Sequence, residues 1–220
     1  MRYINFNGKI MPSGAAIVSS DNRALRYGDG LFETIKFYNN QLVLINEHMA
    51  RLWKGMQDMK MKIPKHFQPE KIEELVISLL KKNNYQYARV RISVARGNGG
   101  LYDSDNNFHY IIECWPLTTD YKILNENGLE LCIYKEALKI CDHFSNLKHN
   151  NFLPYFMGAL FAQQNKCNDA LILNHHLRVC DSSNANIFII INDTIITPPL
   201  SEGCIAGTIR KLVIQLLPEL

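Results

Sequence analysis

The chain has 220 residues, 47% of them hydrophobic and 20% charged, with a formal net charge of +3. That apolar content suits a cored protein and excludes dominant disorder. The balanced charge gives no electrostatic ground for nucleic acid or an anionic membrane as partner, no apolar run reaches the roughly 20 residues of a membrane helix, and the opening MRYINFNGKI lacks the apolar core of an export signal. The expectation is a cytoplasmic protein of one large domain or two small ones.

The first segment predicts a hairpin, because Tyr3, Ile4 and Phe6 lead into Asn7-Gly8, the favoured two-residue turn pair. Gly28-Asp29-Gly30 opens a strand over Leu31 to Tyr38, and Asn39-Asn40 turns it back into Gln41 to Ile45. The period then changes. Asn46 is placed to cap a helix with the stripe Met49, Leu52, Trp53, Met56 and Met59. A second helix starts near Pro69, carries Ile72, Leu75, Val76, Leu79 and Leu80, and stops at Lys81-Lys82-Asn83-Asn84. Tyr87 to Ala95 and Phe108 to Trp115 read as strands around a loop holding Gly97, Gly99 and Gly100. The polar stretch Pro116 to Asn127 is the expected boundary between domains 1–117 and 118–220. Beyond it, strands are expected at Leu129 to Tyr134, Ala170 to Leu173, Ile187 to Ile191 and Thr194 to Thr197. A helix spans Phe152 to Asn165, with Pro154 tolerated in its first turn, and a last helix runs from about Gly207 toward Leu217. Strands and helices mix without βαβ alternation, so the class is α+β.

The six cysteines, Cys114, Cys132, Cys141, Cys167, Cys180 and Cys204, form no C-x-x-C pair and read as reduced, mostly buried thiols. The histidines form no H-x-x-x-H or H-x-H pair, so no metal site is expected. Three features are candidates for chemistry. Lys148 stands between a strand and a helix, where a lysine is a solvated charge unless its surroundings lower its pKa and make it a nucleophile. Ser201 to Arg210 opens a helix with glycines, which leaves backbone N–H groups for an anion. Arg26 to Thr34 holds Gly28-Asp29-Gly30, which reads as a tight turn and not as a dinucleotide fingerprint, because the third glycine is absent and a strand follows.

Taken in order, RYGDGLFET, EHMARL, SNLKHNN, VCDSSNANIF and TPPLSEGCIAGTIR resemble the class IV aminotransferases. These are two-domain enzymes of the D-amino-acid-aminotransferase-like fold (fold-type IV) that use pyridoxal 5′-phosphate. The resemblance implies a catalytic Lys148 that holds the cofactor covalently and moves protons. It implies Arg51 on the cofactor phosphate, joined by the backbone at Gly207, Thr208 and Ile209. Asp181 stands where the family carries glutamate against the pyridine nitrogen, and Ser182, Ser183 and Asn184 are placed to orient it. Substrate-facing positions implied by the match are Tyr27, Thr34 and Arg96. The family implies a homodimer acting on a small amino substrate, and the Met and Trp residues of the first-domain helices suit either a core or an interface. Members usually continue past the phosphate-binding helix, so the second domain is expected to be truncated here.

The branches differ at readable positions. Phe32-Glu33-Thr34 and Phe152 depart from the branched-chain pattern, and Arg96-Gly97-Asn98-Gly99-Gly100 looks most like 4-amino-4-deoxychorismate lyase, which releases pyruvate and 4-aminobenzoate for folate biosynthesis. A branched-chain or D-amino-acid aminotransferase, and a non-catalytic paralogue that only binds the cofactor, are the alternatives.

Overall fold

The computed structural model describes residues 1–117, 123 and 125–217. Residues 118–122, at the expected domain boundary, lie outside the described set. The chain forms two compact units: Met1–Lys122 with Lys148–Asn151, and Ile123–Leu147 with Phe152–Leu220.

The first unit is built on strands β1 (Tyr3–Phe6), β2 (Lys9–Pro12), β3 (Gly30–Tyr38), β4 (Gln41–Leu42), β5 (Ala88–Ala95) and β6 (His109–Pro116), with helices α1 (Arg23–Tyr27), α2 (Ile45–Asp58) and α3 (Pro69–Asn83). The strands form one antiparallel sheet in the order β2-β1-β6-β5-β3-β4. Both predicted hairpins form, and in each the two turn residues have positive φ: Asn7 and Gly8 at 49° and 88°, Asn39 and Asn40 at 49° and 59°. That geometry matches the right-handed twist of the flanking strands. Asn46 does not cap α2. The Val43 N–H is held by the Lys36 carbonyl, so the chain turns at left-handed Leu44, which is the N-cap and makes no side-chain bond. α1 was not expected from the sequence; Asn22 caps it by accepting from the N–H groups of Ala24 and Leu25.

Period-two alternation sorts the sheet into two faces. Leu31, Ile35, Phe37, Val90, Ile92, Val94 and Ile112 are buried on the face that carries α2 and α3. On α3, Ile72, Val76, Leu79 and Leu80 are fully sequestered, each contributing about 1.5–3 kcal/mol. Met49 and Met56 are buried in the same core, and Trp53 stacks on Phe67 at 4.9 Å, so these side chains fill a core. The opposite face carries Phe32, Thr34, Arg91, Ser93 and Glu113 in register.

The second unit holds β7 (Leu131–Lys139), β8 (Asp169–Asn174), β9 (Val179–Ser182), β10 (Ile189–Ile191) and β11 (Thr194–Ile196), with α4 (Leu153–Gln164) and α5 (Thr208–Leu216). β7 pairs parallel with β8, β8 antiparallel with β9, and β10–β11 is a separate hairpin. β7 outruns its expected end at Tyr134. Its register with β8 shifts there and resumes at Lys139 opposite Asn174, and such an irregularity breaks the alternation that marks a strand. β9 was not foreseen either, since VCDS is short and half polar; pairing with β8 makes it a strand. α4 packs on β7 and β8 around Tyr134, Tyr155, Ala162, Ala170 and Ile172. All six cysteines are free thiols, but only Cys114, Cys180 and Cys204 are buried, fewer than expected.

Candidate active site

In the first unit the functional groups gather along β3. Glu33 points to the helix side and is 1% exposed. It meets His48 and Arg51, three apart on α2 and so on one helix face. Arg51 donates through Nε to Oε1 at 2.7 Å and through Nη2 to Oε2, while His48 Nδ1 lies 2.6 Å from Oε2. Burial alone raises the Glu33 pKa, but the bonds from Arg51 and then His48 outweigh it and hold the carboxyl below its usual value. The sequence-predicted Arg51 is therefore set by a buried fork, which fixes its guanidinium as a rigid arm.

Neighbours of Glu33 point the other way. The ring of Phe32 lies under two cations: the Arg91 guanidinium is 3.7 Å from its centroid and Lys148 Nζ 4.6 Å. Lys148 reaches this strand through the backbone, because the Phe32 N–H donates to the Lys148 carbonyl at 3.0 Å and the Asn150 N–H to the Gly30 carbonyl at 2.9 Å. These bonds attach Lys148–Asn151 to the first unit. Thr34 lies directly across from Arg91. Burial lowers the Arg91 pKa, Glu113 raises it and Arg89 lowers it, with a net downward shift. Arg91 alternates with Arg89 and Ser93 along one face of β5, and that alternation is its signal in the sequence.

The structure puts Arg96 elsewhere. Its Nε donates to Asp29 Oδ2 at 2.7 Å and its Nη groups to the carbonyls of Met59 and Lys60. Arg23 donates to the same Asp29 oxygen at 2.8 Å. Burial raises the Asp29 pKa, but the bonds from Arg96 and Arg23 prevail and lower it. Arg96 thus closes a turn, and the arginine directly across from Thr34 is Arg91. Tyr27 ends α1, is 41% exposed and lies 5.4 Å from the Arg23 guanidinium.

In the second unit β9 presents Asp181, 2% exposed. Its Oδ1 accepts from Asn186 Nδ2 at 2.8 Å, and its Oδ2 accepts from Tyr155 Oη at 2.6 Å and from the Ile205 N–H at 3.0 Å. Burial raises the Asp181 pKa; the Tyr155 bond, the Lys139 charge and the remaining donors only partly offset it. Two of the three expected orienting residues are otherwise engaged: Ser183 donates to Asp169, and Ser182 Oγ accepts from the Ala185 N–H. Tyr155, Asn186 and Ile205 hold Asp181 instead. Asn186 also donates to the Ile205 carbonyl and borders Gly207, where an added Cβ would fall 1.9 Å from its Oδ1. Only glycine lets α5 begin this close to Asn186. Gly207 is the N-cap of α5 and brings no side-chain acceptor to its first turn, where Thr208 is buried and Ile209 exposed.

The groups of each unit fit parts of pyridoxal phosphate by chemistry: in the first unit an amine suits an aldehyde and a guanidinium a phosphate, and in the second a glycine-opened helix start suits a phosphate and a buried carboxylate a ring nitrogen.

The family model for amino-transferase class IV matches residues 30–220. A provisionally named branched-chain-amino-acid aminotransferase of Methanocaldococcus jannaschii is 28% identical over 98% of this chain and 75% of its own length. Aminodeoxychorismate lyase of Vibrio harveyi is 25% identical over 89% and 72%. Among solved structures, the branched-chain amino acid aminotransferase of Escherichia coli superposes at a TM-score of 0.85, with 20% identity, over 99% of this chain and 73% of that one. A further branched-chain amino acid aminotransferase, solved with pyridoxamine 5′-phosphate, superposes at 0.86 with 22% identity over the same shares. The superpositions show a common fold, the fold-type IV architecture.

Proposed function

The chain belongs to the class IV aminotransferases, pyridoxal-phosphate-dependent enzymes, and from that premise we propose that it removes a proton from the amine-bearing carbon of a small carboxylate substrate, as an aminodeoxychorismate lyase. The observation that carries the lyase reading is the loop Arg96 to Gly100. Gly97 and Gly99 adopt φ of 135° and 115°, and a Cβ on Gly97 would lie 2.7 Å from the Asn107 nitrogen, so this loop depends on the glycines of the R-G-x-G-G pattern. The Vibrio harveyi relative supports it; the Methanocaldococcus jannaschii relative favours an aminotransferase as the second reading.

The cofactor, when bound, supplies an electron sink for charge developing at the substrate carbon. In the first unit, Lys148 serves as covalent anchor and then as the base that takes the proton and returns it. Arg91, with Thr34 across from it, faces the substrate carboxylate as a cation weakened in solvation by its burial. Arg51, braced by Glu33, holds phosphate. In the second unit, Gly207, Thr208 and Ile209 offer backbone N–H groups to phosphate, and Asp181 faces the ring nitrogen. Assembly as a homodimer and a cytoplasmic location belong to the same proposal; among the described residues no helix is long and apolar enough to cross a membrane. An active, stable monomer in light scattering would remove the dimer.

The test has two parts. Borohydride should fix a pyridoxyl group on Lys148, and peptide mapping to another lysine would overturn the site. Aminodeoxychorismate should then yield 4-aminobenzoate and pyruvate, and Lys148→Ala should abolish that yield. Conversion of amino acids to keto acids without 4-aminobenzoate would establish the aminotransferase reading instead.

A further inference from the structure

Lys139 has no part in the function proposed above, yet it is 7% exposed, in a class of side chain rarely buried without a partner. The register shift in β7 puts it there. Its Nζ donates to the Ser145 carbonyl at 3.2 Å, to the Gly203 carbonyl and to Tyr155 Oη. Three donors with three acceptors is the full complement of an ammonium. The same nitrogen stands 3.7 Å from Asp181 Oδ2, and the Tyr155 hydroxyl links the two by accepting from Lys139 and donating to Asp181.

The stereochemistry of Asp181 sets what can be added. A carboxylate has about four lone-pair positions. Tyr155 and Ile205 occupy those of Oδ2, and Asn186 occupies one on Oδ1. Among the described residues, the position left is on Oδ1, the oxygen other than the one 3.7 Å from Lys139. The other titratable groups around Asp181 are Tyr155 on α4, Cys180 beside it on β9, and Cys204 ahead of α5. Burial first, and then the Asp181 charge, pushes each of them up, Cys180 to about 12, so they stay neutral through physiological pH. The charge balance at this carboxylate is set by Lys139.

We propose that Lys139 is a positioning residue, a buried counter-cation that keeps Asp181 ionised with one oxygen turned outward and moderates how tightly that oxygen holds the proton of the cofactor's ring nitrogen. The second half rests on reading Asp181 as the partner of that nitrogen. A fixed positive charge behind the carboxylate makes the potential at its oxygens less negative, so the ring proton leaves at a lower pH than it would opposite a lone aspartate. The electron sink is then adjustable through a residue that touches neither cofactor nor substrate.

The experiment compares Lys139→Met, Lys139→Arg and Lys139→Met/Asp181→Asn with the parent. Without cofactor, Lys139→Met should lower the Tm by on the order of 10 °C, because one charge is left buried alone. Adding Asp181→Asn should recover most of that loss, and Lys139→Arg should retain most of the parent's stability. Burial already raises the Asp181 pKa, so its ionisation withdraws stability as pH rises through its folded value. The Lys139→Met deficit should therefore be largest at neutral pH and shrink in acid. A deficit independent of pH and not recovered in the double variant means Lys139 only packs, and overturns the proposal. Should Lys139→Met fail to fold, a folded double variant supports the pairing and an unfolded one overturns it. With ¹⁵N-labelled pyridoxal phosphate bound, the ring-nitrogen midpoint should rise by on the order of one pH unit in Lys139→Met; an unmoved midpoint overturns the tuning. A parent protein that takes up no pyridoxal phosphate overturns the site reading and the tuning together, while the cofactor-free series still decides the pairing.

Discussion

Glu33 and Asp181 are both buried carboxylates, 1% and 2% exposed, yet their protonation is biased in opposite directions. Glu33 receives a two-pronged guanidinium and a histidine, all within direct bonding distance. Asp181 receives a phenol, an amide and a backbone N–H, with its cation offset at 3.7 Å. Charge-assisted forks outweigh the cost of burial; neutral donors with a displaced cation do not. The first arrangement suits a rigid brace for Arg51. The second leaves a carboxylate whose state responds to what is placed opposite it, which a partner for a titrating ring nitrogen requires.

The comparison can be broken most forcefully at Arg51. Arg51→Met leaves Glu33 buried without its fork and should cost about 3–5 kcal/mol of stability, read by denaturant unfolding; a loss under about 1 kcal/mol would mean that the fork is not what stabilises the Glu33 carboxylate. Next comes Asp181→Asn, which keeps the shape and removes the charge. Turnover with cofactor should fall on the order of 10²-fold, about 2.7 kcal/mol of transition-state stabilisation. An unchanged rate would make Asp181 a structural residue like Glu33. Asp181→Glu should stay within about tenfold of the parent, because the charge persists.

Tyr155→Phe is milder. It removes the hydroxyl between Lys139 and Asp181 and should cost about 1–3 kcal/mol, since a buried donor and acceptor both lose a partner. The smallest effect separates the carboxylates by pH. The Glu33 pKa is lowered, so its contribution is present above the ordinary carboxylate range and is lost as pH falls through its folded value. The Asp181 pKa is raised, so its contribution is present in acid and is lost as pH rises through its folded value. Relative to the parent, Glu33→Gln should therefore gain on acidification and Asp181→Asn should gain as pH rises. Thermal unfolding of the two variants from acid to neutral pH checks the signs.

Local chemistry was legible where it acts over a few residues. Asn7-Gly8 and Asn39-Asn40 dictated their hairpins because few other residues accept positive φ twice in succession. The stripe from Ile72 to Leu80 announced α3, since a helix buries what lies three and four apart. The ordered motifs around Arg51, Lys148, Asp181 and Gly207 carried the family resemblance. What the sequence could not determine is pairing over long separations. Lys139 and Asp181 meet because β7, α4 and β9 pack together, and β9 itself is a strand only by virtue of β8. Arg91 comes to Phe32 and Lys148 only through cross-strand register, while Arg96, the more conspicuous arginine, is drawn into a turn by Asp29. A side chain's type is written locally; its partner, and so its charge state and its use, is chosen by tertiary contacts that no local period encodes.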